Sequence, residues 1–199
     1  MDRARVLGIG MALLVGLSGA AIAAPAGDRH FVVGSGSQVS YHVKAKIAGL
    51  FDEAIDGVNS EVRGDVRLAL GHPAGWAEAD VTAFKSGIKG RDRHVAQILG
   101  FPKTPTVRFD LTDLLEFDPS LPAGKVTGVG TLTANGTSRP LRLPLQYQLQ
   151  GPILRIEGEA PLRFADFGIA PPVMGLGLKR APDDLVIRVR LVATEDHPS

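Results

Sequence analysis

The sequence predicts an all-β protein, an antiparallel barrel or a two-sheet sandwich of about eight strands with one short helix. From residue 31 onward, apolar and polar residues alternate in nearly every long segment, which is the period-2 pattern of half-buried strands. This alternation favours antiparallel pairing, because parallel strands covered on both faces are continuously apolar. The 199 residues include 24 glycines and 14 prolines, which favours one turn-rich β domain over a helical bundle.

The first 23 residues have the features of a secretory signal peptide. Arg3 and Arg5 form a basic head, an apolar run follows, and Ala21-Ile22-Ala23 has the small-x-small pattern of a cleavage site. The apolar run is too short for a membrane-spanning helix. We therefore expect a mature domain of residues 24–199 that is periplasmic or secreted.

Eight alternating segments make up most of the mature chain. Each segment has an apolar and a polar face, and turn residues separate the segments. Asn135-Gly136, between two segments, is a strong hairpin signal because both residues tolerate the positive φ of a type I′ turn. The segments are 37–47, 61–70, 76–84, 107–112, 125–134, 140–149, 153–164 and 185–193.

The one departure from alternation predicts a short helix near Asp92–Leu99. Val95, Ile98 and Leu99 are spaced as i, i+3 and i+4, which places them on one helix face. The Gly and Pro that follow end the helix, and Asp92 is expected to cap it. The polar cluster Arg91-Asp92-Arg93-His94 therefore has a structural interpretation, which we favour over contact with a ligand.

Composition and motifs exclude several function classes. A formal net charge of +1 provides no electrostatic footprint for nucleic acid. The absence of cysteine excludes disulfides, thiolate nucleophiles and Cys-ligated metals. The sequence contains neither a G-x-S-x-G nucleophile elbow nor a complete phosphate-binding loop, and its five histidines lack metal-ligand spacing. We expect no catalytic residue, no metal site and no cofactor.

Several motifs, in order along the mature chain, resemble those of the YceI family of secreted bacterial proteins. Arg91–Val95 is similar to the family's R-D-x-H-[LV] junction, and Phe101–Phe109 to its K-x-P-x-[IV]-x-F segment. Gly128–Pro140 resembles its G-x-L-T-x-x-G-x-T-x-P hairpin, and Phe164–Ile169 the stretch that contains D-F-G. Asp184–Val192 is similar to its closing strand.

The resemblance implies one lipocalin-like barrel that carries an apolar chain, such as a polyisoprenoid, an isoprenoid quinone or a similar lipid, and that is not an enzyme. Withdrawing each CH₂ unit of such a chain from water contributes about 0.8 kcal/mol, so the site needs few polar contacts and leaves little motif. An apolar lipid is then the expected partner. Transient membrane contact and a homodimer both remain open.

The predicted ligand site is a set of apolar residues near the helix and the D-F-G stretch. Their side chains are expected to point into the barrel, because an unpaired charge against a hydrocarbon chain is costly. The set is Phe51, Phe84, Ile88, Val95, Ile98, Leu99, Phe101, Phe109, Phe164, Phe167 and Ile169.

Two other functions compete with this hypothesis. One is an envelope stress-related interaction module with a filled barrel and no ligand. The other, the least favoured, is an enzyme that uses Asp92 and His94 as general acid and base. An empty apolar interior favours the ligand carrier, whereas a close-packed interior favours the interaction module.

N-terminal sequencing of the protein isolated from its native host tests the predicted signal peptide. We expect Ala24 or Pro25 as the first residue, because cleavage beside the small residues removes the basic head and the apolar run. An intact Met1 in the membrane fraction would contradict this prediction.

Overall fold

The computed structural model describes residues 28–69, 72–98, 104–174 and 177–196. The predicted signal peptide lies outside these residues. Among the described residues, no helix has the length and apolar character needed to cross a bilayer. The elements that they form are β1 (Arg29–Val33), β2 (Gln38–Ile47), β3 (Phe51–Asn59), β4 (Val62–Leu68), β5 (Ala74–Asp80), a 3₁₀ turn (Val81–Ala83), α1 (Lys89–Ile98), β6 (Thr106–Leu115), β7 (Ala123–Ala134), β8 (Thr137–Gln150), β9 (Ile153–Arg163), a second 3₁₀ turn (Phe164–Phe167), β10 (Val173–Met174), β11 (Lys179–Arg180) and β12 (Asp184–Glu195).

The strands of the described segments form a closed ring of eight long strands. β1 and β2 continue one another across a bend at residues 34–37, and β3 and β4 do so across residues 60–61. The order around the ring is β1/β2, β3/β4, β5, β6, β7, β8, β9 and β12, and β12 pairs again with β1 and β2. All of these pairs are antiparallel. The all-β antiparallel barrel is confirmed, and closure rules out the sandwich.

Two buried polar side chains form hydrogen bonds with backbone groups where the long strands bend. The Ser37 hydroxyl donates to the Val192 carbonyl at 3.1 Å and accepts from the Val192 N–H at 2.9 Å. The Asn59 amide donates to the Asp80 carbonyl at 2.8 Å, and its oxygen accepts from the Glu61 N–H at 2.6 Å. Because a bend interrupts the ladder of backbone hydrogen bonds, these side chains supply partners that the strands would otherwise lack.

The two ends of the barrel differ in what they carry. We call the end with α1, the second 3₁₀ turn and the β10–β11 hairpin the helix end, and the other the opposite end. The connections at the helix end are residues 47–51, 80–106, 134–137 and 163–184, and those at the opposite end are 68–74, 115–123 and 150–153.

The opposite end is closed by packed side chains. Phe31 and Leu154 are almost fully buried there, in a cluster to which most strands contribute. The hydroxyl of Tyr147 donates to the carbonyls of Asp118 and Leu121, at 3.1 and 3.3 Å, which ties the β6–β7 connection across the barrel. Among the described residues, these side chains cover the barrel interior at the opposite end.

Two local predictions can be compared with the structure. Asn135-Gly136 forms the two-residue loop of the β7–β8 hairpin, with φ of 48° and 70°. The predicted helix forms but begins three residues earlier, at Lys89. Asp92 therefore lies in its first turn, and its carboxylate accepts from the N–H and hydroxyl of Ser86, at 2.8 and 2.6 Å, rather than capping the helix.

Candidate functional site

The barrel contains a cavity of about 200 Å³ with an almost wholly apolar surface. All eight long strands contribute to its wall, because alternate residues on each strand point inward. On β5 the inward residues are Gly75, Ala77 and Ala79, which are too small to fill the space in front of them. The interior of the barrel is therefore hollow along much of its length rather than close-packed.

Six of the predicted site residues lie together on this cavity. Phe109 is an inward residue of β6, and glycine at position 130 leaves room for its ring, since a Cβ there would lie 2.8 Å from the Phe109 Cζ. The others come from the helix end, where the two 3₁₀ turns and α1 fold inward. These residues are Phe84, Val95, Phe164, Phe167 and Ile169.

Phe51 and Ile88 do not line the cavity, and the structure departs from the prediction here. Phe51 is 68% exposed although it shares its face of β3 with Ile55, which does line the cavity. The β2–β3 hairpin extends past the rim of the barrel, so an inward-facing residue near its turn meets solvent. Ile88 precedes α1 and is 52% exposed, whereas Arg91, His94 and Val95 form the part of α1 that reaches the cavity.

The remaining predicted residues cannot be placed on the cavity. Leu99 and Phe101 lie outside the described residues, as does the side chain of Ile98. Sequence reasoning also omitted the strand residues that form most of the wall. These residues could have been recognised from the alternation of apolar and polar residues, because it gives each strand one apolar face. Examples are Val43, Leu132, Leu141, Leu143, Leu162, Leu185 and Ile187.

Tyr41, Arg91 and His94 add polar atoms to the helix end of the wall. The Tyr41 ring lies over Gly57, where a Cβ would come within 2.2 Å of its Cε1. Burial, reinforced by the negative charge of Asp92, raises the pKa of the Tyr41 hydroxyl to about 12, so that it stays a neutral donor. The Nε2 of His94 is buried and has no hydrogen-bond partner among the described residues.

A carboxylate joins three elements at the rim of the cavity. One oxygen of Glu53, on β3, accepts from Arg91 of α1 at 3.1 Å, and the other accepts from Lys179 of β11 at 2.7 Å. The hydrogen bond from Lys179, together with the two positive charges, holds the pKa of Glu53 below its usual value. The charge of Arg91 is thus already paired. Within the described segments, no three His, Asp or Glu side chains group as metal ligands.

The fold and the cavity define a closed antiparallel barrel with a hollow apolar interior, the architecture of small barrels that hold one ligand. The model of the YceI-like domain family matches residues 32–193, and the chain belongs to this family. The resemblance predicted from the motifs is confirmed. No curated protein matches the chain.

Solved structures of low sequence identity share the fold. BcnA of Burkholderia cenocepacia superposes with a TM-score of 0.61 at 18% identity, over 79% of this chain and 96% of that one. A polyisoprenoid-binding domain of Saccharophagus degradans, implicated in plant cell wall breakdown, gives 0.59 at 12% identity, over 84% and 98%. The YceI protein of Campylobacter jejuni gives 0.60 at 16% identity, over 77% and 91%.

Tyr41 predicts a loss of stability at alkaline pH. Because folding raises the pKa of its hydroxyl to about 12, the unfolded chain releases this proton at lower pH than the folded chain. Its contribution to the free energy of unfolding is complete below the ordinary pKa and is lost as pH rises toward 12.

Urea unfolding of the parent protein and of Tyr41→Phe measures this effect. From neutral pH to about pH 11, we expect the parent to lose more of its free energy of unfolding than the variant does. Equal losses would show that the hydroxyl is not buried as described.

Proposed function

We propose that this protein binds and carries an apolar chain, such as a polyisoprenoid, an isoprenoid quinone or a similar lipid, in the periplasm or outside the cell. The hollow apolar interior of the barrel is the observation that carries the proposal. A chain in contact with Phe109, Phe164 and Phe167 would gain about 0.8 kcal/mol for each CH₂ unit withdrawn from water. The polyisoprenoid-binding domain of Saccharophagus degradans, which has the same fold, supports this class of ligand.

The size of the cavity defines how a chain would be held. Ligand pockets have volumes of about 300–1,000 Å³. The cavity, at about 200 Å³, suits one segment of a chain, so a longer ligand requires the helix end to move outward. The contacts that would break are the rim ion pairs of Glu53, which is partly exposed. Both pairs are partly solvated, so they oppose this movement less than fully buried ion pairs would.

The polar atoms of Tyr41 and His94 suit a small neutral group at one end of the chain. Leaving a buried polar atom unpaired costs about 1–3 kcal/mol, so a ligand oxygen near the His94 Nε2 would be favourable. A quinone carbonyl or an alcohol has such an oxygen. A phosphate fits less well, because the guanidinium of Arg91 already donates a hydrogen bond to Glu53.

The competing functions are less well supported. An interaction module with a filled barrel is not supported, because the barrel contains an apolar cavity. An acid–base pair of Asp92 and His94 does not match the hydrogen bonds, since both the backbone and the hydroxyl of Ser86 engage Asp92. We therefore propose a binding protein with no catalytic role.

Filling the cavity with protein should block the ligand. In Ala77→Phe, the new ring would occupy the space in front of β5. We expect binding to be weaker by about tenfold or more, because a close-packed interior has no room for a ligand. The matched control is Ala74→Phe, on the same strand but exposed. Calorimetric titration of delipidated protein with geranylgeraniol and with decylubiquinone measures both variants.

A second variant distinguishes blocked binding from damage to the fold. Phe164→Asp places a charge against the chain and should abolish binding in whatever fraction remains folded by circular dichroism. Parent-like affinity in folded Ala77→Phe and folded Phe164→Asp would refute the cavity as the ligand site.

A further inference from the structure

The most exposed apolar side chains of the described surface are concentrated at the helix end. Eight large apolar residues of the described segments are exposed, and five of them lie at the helix end. Leu50, Phe51 and Leu178 rank highest, at 78%, 68% and 62% exposure. We call these three residues the apolar tip. Contiguous exposed apolar surface on a soluble domain marks an interaction site.

The three residues of the apolar tip belong to two hairpins whose backbones are joined. The N–H of Ala48, in the β2–β3 turn, donates to the carbonyl of Leu178 at 2.6 Å, and β11 pairs with the end of β2. Arg91 and Lys179 both bind Glu53, two residues after Phe51, so α1 is held beside the two hairpins. The start of α1 adds Ile88, which is also exposed.

Basic side chains surround the apolar tip. Residues 44–53, 85–93 and 177–180, which carry or flank it, contain eight basic and three acidic side chains. On the other side of the same mouth, Asp183 is paired with Arg163, and Asp166 and Asp184 are exposed acidic side chains. Lys89 and Arg180 are exposed and form no salt bridge with any described residue. The tip is therefore an apolar centre with a positively charged margin.

The opposite end has the reverse charge. Residues 28–30, 113–122, 148–155 and 194–196 contain six acidic and two basic side chains. An anionic surface would therefore attract the helix end and repel the other, which orients the protein before contact.

We propose that the helix end docks on a bilayer that contains anionic phospholipid, with the apolar tip inserted among the headgroups. Exposed apolar residues on turns and a basic margin are the two features that hold proteins at a membrane interface. Docking also places the helix end of the hollow barrel against the bilayer. If the proposed lipid function holds, a chain passes between bilayer and cavity without crossing water, but docking itself does not depend on that function.

Flotation of the mature protein with vesicles tests the proposal. We expect binding to phosphatidylcholine vesicles that contain phosphatidylglycerol, weaker binding to pure phosphatidylcholine, and loss of binding as salt is raised. Leu50→Ser combined with Phe51→Ser should weaken binding about tenfold or more, because two side chains no longer leave water. Lys89→Glu combined with Arg180→Glu should reduce the preference for anionic vesicles.

Matched controls separate docking from other causes. Leu115→Ser combined with Leu121→Ser removes exposed leucines at the opposite end and should leave vesicle binding unchanged. Ala77→Phe, which fills the cavity, should also bind vesicles like the parent. This variant therefore separates the test of docking from the test of ligand binding. Absence of vesicle binding by the parent, or equal loss in the opposite-end variant, would overturn the proposal. A dimer that Leu50→Ser and Phe51→Ser dissociate, without vesicle binding, would assign the tip to self-association instead.

Discussion

β12 pairs with β9 along one edge and with both β1 and β2 along the other, and this pairing closes the barrel. The first two long strands bend, and the β2–β3 hairpin runs past the start of β12 at the helix end. The bends would leave backbone groups unpaired, and Ser37 and Asn59 supply the missing partners from fully buried positions. The projecting hairpin follows from this geometry, whereas the small inward residues of β5 leave the interior hollow.

Two clusters of buried apolar side chains follow one another along the barrel axis, and members of both line the cavity. The larger cluster is packed around Phe31 and Leu154 at the opposite end, and the smaller one contains Phe164 and Phe167 at the helix end. The helix end has small residues on β5, aromatic residues on its connections and a rim held by Glu53. The rim at the helix end is held by ion pairs rather than by the strand ladders of the ring, so an entry for the proposed ligand is expected there.

Much of the fold could be predicted from the sequence, because period-2 alternation defines which face of a strand is buried. Asn135-Gly136 likewise specified its hairpin. Alternation carries no information about closure, so the choice of a barrel over a sandwich rested on the YceI resemblance. The same limit explains Phe51. Phe51 lies on the inward face of β3. The position along β3 at which the barrel wall ends depends on the bend between β3 and β4, and no local sequence pattern specifies that position.

The candidate site was predictable in part for related reasons. Phe109 and Phe164 lie on the apolar face of their segments and near the helix, and both line the cavity. The leucine stripe of β8 was visible in the sequence, yet a stripe that fills a core and one that faces a cavity look alike. The distinction depends on the small residues opposite, such as Ala77, and on the polar pair Tyr41 and His94, which only the assembled barrel brings together.

Analysis of what the native protein contains tests the lipid-carrier function most directly. The mature protein would be purified from its own host without detergent, extracted with organic solvent and examined by mass spectrometry, beside an unrelated exported protein purified in the same way. We expect an isoprenoid lipid or quinone in amounts comparable to the protein and absent from the reference. An extract with no apolar chain above the reference level would contradict this function.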